Sequence, residues 1–400
     1  MHGVTFGVVA ILALQQTAQR PTFKSGVDLI AVDVHVVGDN GNPITDLRPE
    51  DFEVQIGGKQ RRVASAQFVS YASHTPAAAP SVAGSDAIPP SPGTTSPRPR
   101  RMYILAVDEH SLHVSNALAA VNATERFIDK LEPDDLVGLY AYPTGVAHYD
   151  LTTDHASVRA AVRHITGLLE EPSLKFNLTP AEAIDIASGD RDAMANVMRR
   201  ECPAGRCNQN DIRNEAISFA GSLEMRVSQS VGGLRGLVRS LGKIPGRKTL
   251  VMISGGLIST DRSSGRANAI AEITQLGKEV AEADISVFAL HLDWSFLEAL
   301  SSRGGLRLSY FRDSNMAATG LEQVAGTAGG TVFRVQGRSP DVAFDRVLRE
   351  TSAHYLLGVD VGDEDRDGRT RSIRVKVTRR GASVRSRTSV IIPRAGSQPK

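Results

Sequence analysis

The stretch "RMYILAVDEHSLHVS", residues 101–115, ends an apolar run in a carboxylate and follows it at once with imidazoles and hydroxyls. Asp108, His110 and His113 stand there, and His291 and Asp293 close a second apolar run, "ISVFALHLD". Carboxylates and hydroxyls at the end of a buried strand suit Mg²⁺ or Mn²⁺, whereas imidazoles beside a carboxylate suit Zn²⁺, Ni²⁺ or Fe²⁺. The same groups also serve simply to hydrogen-bond loop starts, and 10 histidines in 400 residues put several on any rim by chance. Trp294 in "HLDWSFLEAL" is either an exposed contact on that rim or a plug in the core.

Other chemistry leaves no trace. The chain contains no H-E-x-x-H, no Walker loop and no G-x-S-x-G elbow. "GGLRG" and "TAGGT" neither follow a strand nor open a helix as a dinucleotide loop must. "DEDRDG" (363–368) has the look of a calcium loop but lacks the closing Glu, and reads as a polar hairpin loop. The 2 cysteines, Cys202 and Cys207, flank a Pro-Ala-Gly turn in "ECPAGRC". Two thiolates make a poor zinc site, so a small-loop disulfide is expected.

A net charge of +2 gives no reason to expect nucleic acid or an anionic membrane as partner. Arg98, Arg100 and Arg101 read as a solvated linker end. Val4–Leu14 form an apolar run as long as the core of a signal peptide and too short to span a bilayer, with cleavage expected near Ala18. The sequence therefore predicts an exported chain with no transmembrane helix in its mature part.

The elements that must position these residues follow from periodicity. Residues 1–20 are the signal-like segment. Residues 24–71 form a β unit, in which Ile30, Val32, Val34 and Val36 alternate with Ala31, Asp33 and His35, and "DFEVQIGGKQRRV" reads as strand, Gly-Gly turn, strand. Residues 72–100 carry 7 prolines among Ala, Ser, Gly and Thr, a linker that cannot bury enough apolar surface to order itself. Over 101–353, apolar strands such as "MYILAV", "LVGLYAY" and "KTLVMIS" alternate with amphipathic helices, which implies a mainly parallel sheet with helices on both faces. Residues 168–210 interrupt this rhythm as a helical excursion, and a long helix over 211–241 returns to the sheet. Residues 354–394 are β again, with "TRRGAS" as a hairpin turn. Neither β end is stable alone, so they are expected to pack together around the inserted α/β domain.

Several blocks, "DLIAVDVHVVGDNGNPITDLRPEDFEVQIGGKQRRV", "LTPAEAIDIASGDRD", "LRGLVRSLGKIPGRKTLVMISGGL" and "HYLLGVDV", resemble the von Willebrand factor type A-related exported proteins of the acidobacterial type. The resemblance implies a von Willebrand A-like, doubly wound, mainly parallel sheet. It also implies a divalent cation at the rim, held by a D-x-S-x-S stretch, a later Thr and an Asp after the fourth strand. Only Asp108 matches. The serine positions hold His110 and Leu112, the aspartate position falls at Gly255 or Gly256, and neither Thr152 nor Thr179 can be assigned. The standard metal-ion-dependent adhesion site is thus read as degenerate, with Asp108 and His110 its remaining candidates and no cofactor expected.

Three functions stay open at this point. The first is a non-catalytic protein-binding or adhesion-type module using the rim at Asp108, His110, His113, Ser254, His291, Asp293 and Trp294. The second is a metal-dependent hydrolase built on the His/Asp cluster, and the third a structural envelope protein.

Overall fold

A computed structural model describes residues 29–71, 100–170, 173–202, 207–259, 269–293, 308–336, 339–392 and 394. The signal-like segment, the Pro-rich stretch 72–99 and Trp294 lie outside the described residues.

In chain order the first unit comprises β1 (Leu29–Val37), β2 (Phe52–Ile56), β3 (Lys59–Arg61) and β4 (Val63–Ser70). Then follow β5 (Met102–Asp108), α1 (Val114–Ile128), β6 (Leu136–Tyr142), β7 (His148–Thr152) and α2 (His155–Val162). The excursion supplies α3 (Pro180–Ala187) and α4 (Arg191–Glu201), and α5 (Gln209–Leu241) leads back to β8 (Lys248–Ser254). Next come α6 (Ile270–Glu282), β9 (Ile285–Asp293), α7 (Leu308–Thr327), β10 (Thr331–Gln336) and α8 (Asp341–Glu350). The chain closes with β11 (Ala353–Asp360), β12 (Thr370–Val377), β13 (Ser383–Ser386) and β14 (Ser389–Ile391).

The protein is α/β. Its central six-stranded sheet has the order β10-β9-β8-β5-β6-β7, parallel except for the antiparallel edge strand β7. β5 and β8 are buried on both faces because helices cover both. Phe127, Val158 and Phe344 from α1, α2 and α8 pack on one face. Leu234, Ile273 and Leu321 from α5, α6 and α7 pack on the other. The strand order reverses between β5 and β8, so a crevice opens beyond their carboxyl ends.

Strands from both ends of the chain build two four-stranded antiparallel sheets, β13-β1-β11-β4 and β14-β12-β2-β3. Their shared core holds Val32, Val34, Tyr355 and Leu357 against Val54, Ile56 and Ile373. Gly57 and Gly58 take φ of 57° and 80°, the left-handed pair that a two-residue hairpin between β2 and β3 requires. The joint "TRRGAS" departs from the hairpin expected of it. β12 pairs with β2 and β14, while β13 pairs with β1. The turn at Gly381, with φ of 70°, passes the chain from one sheet to the other, because the apolar positions of β12 and β13 face one core from opposite sides.

The excursion folds on its own small core of Phe176, Ile184, Val197, Ile212 and Phe219. Its start is legible in "TPAE": Pro180 opens α3, Thr179 Oγ1 accepts the Glu182 N–H at 3.3 Å, and Glu182 Oε2 accepts the Thr179 N–H at 3.1 Å. Cys202 and Cys207 form the disulfide. Within "DEDRDG", Glu364 and Asp367 pair with basic side chains, and the buried Asp365 with Arg61 and Arg371. No helix among the described residues is long and apolar enough to cross a membrane.

The fully buried Glu350 at the end of α8 ties the two units together, its Oε1 accepting from Arg346 at 2.7 Å and from Arg385 of β13 at 3.1 Å. Glu350→Ala leaves the Arg385 cation without its counter-charge, and is expected to lower stability by about 3 kcal/mol in urea unfolding. An unchanged midpoint would show that the pair does not hold the units together.

Candidate functional site

The crevice at the strand-order reversal is a cavity of about 550 Å³. Asp108, Ser111, Ser230, Gly255 and Gly256 form its floor, α5 one wall, and the start of α3 with α7 another. Register explains how distant residues meet there. Val107 pairs with Ile253 and Ser254 with His291, so Asp108, Ser254 and His291 form a row across β5, β8 and β9. All three lie on the sheet face that α5, α6 and α7 cover, since their even-spaced neighbours Ala106, Met252 and Ala289 pack there.

Asp108 is fully buried. Ser230 donates to its Oδ1 at 2.9 Å and Ser254 to its Oδ2 at 3.1 Å. The Ser111 hydroxyl lies between the Asp108 carbonyl, at 2.9 Å, and Ser254 Oγ, at 3.1 Å. It also accepts the Gly255 N–H at 2.7 Å, while Ser254 Oγ accepts that of Gly256 at 3.0 Å. Burial pushes the Asp108 carboxyl up to about 7, against the downward pull of these hydroxyl donors. Asp313 of α7 is also pushed up to about 7 by burial, even though its Oδ1 accepts the Ala181 N–H at 2.6 Å and so caps α3 from a distant helix.

The rim residues expected from sequence do not converge as one cluster. His110 turns its Nδ1 to Gln229 at 3.2 Å, and His113 places its Nδ1 3.0 Å from the Leu169 carbonyl at the start of α1. His291 is buried, with Nε2 3.1 Å from the Gly255 carbonyl, and burial holds its pKa below the usual histidine value. Asp293 accepts the Ser314 hydroxyl at 2.5 Å. Thr152 lies on the edge strand β7, accepting the Asp154 N–H, whereas Thr179 lines the cavity.

The divalent cation that the family resemblance implies does not fit these residues. Both Asp108 oxygens accept hydroxyls, and Leu112 is buried in the apolar core. A Cβ on Gly255 would stand 2.1 Å from the Ser111 carbonyl oxygen, and one on Gly256 would stand 2.5 Å from Ala317 Cβ. The loop after β8 therefore has no room for the missing aspartate. Among the described residues no three His, Cys, Asp or Glu side chains gather as metal ligands would.

Ser111, Ser230, Arg226 and Asp313 line the cavity and were not singled out by sequence reasoning. Phe219, Leu223, Arg226 and Ser230 fall at helical spacing on one stripe of α5, and two polar residues interrupting an apolar stripe were the available signal.

No protein-family model and no curated protein matches the chain. Among solved structures, the pilus adhesin SpaC from Lactobacillus rhamnosus GG, in its open conformation, is similar at a TM-score of 0.31 and 9% identity. That likeness covers 88% of this chain and 48% of the adhesin, so the chain spans about half the length of that protein. An NADH-dependent reductase, A1-R′, complexed with NAD, is similar at a TM-score of 0.20 and 11% identity, over 60% of this chain and 97% of the reductase. Neither likeness carries an argument about this chain.

The Asp108 environment sets a pH dependence. A carboxyl whose folded pKa lies near 7, above its ordinary 3.8, binds its proton more tightly folded than unfolded. Its contribution to stability is complete below about 4 and is lost as pH rises through about 7. Asp108→Asn keeps a neutral group in place, so its stability relative to the wild type should rise between pH 5 and pH 8 in urea unfolding. Asp313 contributes a decline of the same sign that the variant retains. A stability difference that is identical at both pH values would contradict the burial of an ionisable carboxyl.

Proposed function

We propose that the chain is an exported, non-catalytic binding module of the von Willebrand factor type A-related kind, whose ligand enters the cavity above Asp108. The observation that carries this reading is the position of the cavity, at the carboxyl ends of β5 and β8 where the strand order reverses. The disulfide accords with an oxidising compartment. The metal-ion-dependent adhesion site is degenerate in this reading: hydroxyls from three segments occupy the place of the cation.

The reactive groups support binding over catalysis. Ser254 and Ser230 donate to a carboxyl, and the nearest imidazoles bond to Gln229 and to backbone carbonyls. The Ser230 and Ser254 hydroxyls bond a carboxyl rather than an imidazole, unlike the Ser–His pair of acyl transfer. A macromolecular ligand is favoured by exposed apolar side chains on α1 and α5, the helices that also carry the lining residues Asn116 and Arg226. Val114 and Leu118 on α1 are 71% and 62% exposed, and Met225, beside the cavity-lining Arg226, is 62% exposed. Exposed apolar residues on elements that line a cavity support a contact surface there.

Selection of displayed peptides on the full chain tests the reading. Peptides that bind the wild type should lose at least about tenfold in affinity to Leu223→Trp, which fills the cavity. Peptides that bind both forms equally would place the contact elsewhere. In the same reading Mg²⁺, Mn²⁺ and Zn²⁺ leave the thermal unfolding midpoint unchanged. A saturable rise abolished by Asp108→Ala would instead restore the metal-dependent alternative.

A further inference from the structure

Arg226 stands on the cavity wall between Leu223 and Ser230 on the α5 stripe. Several arginines of the α/β unit are paired: Arg200 with Glu182, Arg235 with Glu279, Arg312 with Asp185. Arg226 differs. Among the described residues no hydrogen bond or ion pair engages its guanidinium, although burial lowers its pKa and only the charge of Asp108 offsets this.

The neighbouring carboxyls do not discharge it. Both oxygens of Asp108 are held by Ser230 and Ser254, and Asp313 Oδ1 is held by the Ala181 N–H. A partly desolvated guanidinium with vacant donors is matched best by a planar, two-pronged acceptor. A phosphate is poorly served here. The N–H groups at the start of α3 that could cradle one are already capped by Asp313 and Thr179, and three carboxyls, Asp108, Glu170 and Asp313, line the same space. Close by, Leu174, Leu178, Phe219 and Leu223 offer apolar surface.

We propose that the cavity is a carboxylate site, in which the Arg226 guanidinium receives the acid and Leu174, Leu178, Phe219 and Leu223 receive the apolar body attached to it. This rests on the cavity being the binding site, and gives that site its ligand chemistry. The carboxylate belongs either to a small free acid or to the terminus of a peptide with an apolar last residue.

Calorimetric titration of the full chain separates the possibilities. The probes are octanoate, octanol, octylamine, and acetyl-Ala-Leu as free acid and as amide. The forms compared are wild type, Arg226→Gln, Arg226→Glu, Arg226→Lys and Leu223→Trp, each checked for an unchanged unfolding midpoint. Ala317→Leu, on the facing wall, substitutes for Leu223→Trp if that variant fails to fold. An acid should bind the wild type at least about tenfold more tightly than its neutral counterpart, and Arg226→Gln should remove that margin. Arg226→Lys should restore only part of it, and Arg226→Glu should transfer the preference to octylamine.

Tight octanoate with weak peptide acid assigns the site to free acids, and the reverse assigns it to peptide termini. Equal binding of octanoate and octanol, insensitive to Arg226→Gln but abolished by Leu223→Trp, would overturn the carboxylate site while the cavity stood. If no probe binds, or if filling the cavity changes nothing, the cavity reading falls and the carboxylate site falls with it.

Discussion

One buried carboxyl organises the top of this protein. Asp108 ends the central strand of a sheet covered on both faces, where water cannot solvate a charge. It is tolerable there only if donors are brought to it. Those donors come from α5, through Ser230, and from the end of β8, through Ser254, while Ser111 ties the turn after β5 to the loop after β8. Meeting that requirement fixes three segments at once. It sets the rotation of α5, because a helix that presents Ser230 to Asp108 must present Arg226, Leu223 and Phe219 along the same stripe. The walls of the cavity are thus a consequence of how its floor is satisfied.

The second constraint acts at the far end of the sheet. The sandwich meets the α/β unit where its strands begin and its helices end: the Thr388 hydroxyl donates to the Thr327 carbonyl at the end of α7, and Gly329 packs on Ser386. A Cβ on Gly329 would lie within 1.9 Å of the Ser386 carbonyl oxygen, so contact is as close as backbone permits. Tyr103, at the start of β5, bonds Thr351 at 2.6 Å and packs edge-on against Phe127. Pairing the two chain ends there leaves the carboxyl ends of the strands clear. A fold that must close both termini into one sandwich thereby keeps its rim open.

What could be read from sequence follows the range of the interaction responsible. Strands such as "MYILAV" and the capping box in "TPAE" are written in neighbouring residues, and the structure has them. The disulfide was legible because its two cysteines stand five positions apart in the sequence "ECPAGRC". The row of Asp108, Ser254 and His291 was partly legible, since each ends an apolar run. The hydroxyls of Ser111 and Ser230 were not: which face of a 33-residue helix meets Asp108 is set by packing on β5 and β8, not by anything near Ser230 in the chain. "TRRGAS" failed for a similar reason. A glycine turn says that the chain reverses, but the core decides whether the next strand joins the same sheet or the opposite one.

The charge of the site shows the same gap between sequence and fold. As letters, Asp108, Asp313 and Glu170 outnumber Arg226, and the rim looks like a place for a cation. Burial changes the balance. Two of the three carboxyls have pKa values near 7, so at neutral pH a substantial share of their negative charge is absent. Arginine cannot respond in kind, because a guanidinium keeps its proton even when partly buried. The lining therefore carries less negative charge than its letters suggest, and Arg226 keeps one persistent positive charge set among hydroxyls and apolar walls. Selection by such a surface runs toward acids with an apolar body, and the residues that displace a cation from the floor are the ones that leave Arg226 without a partner.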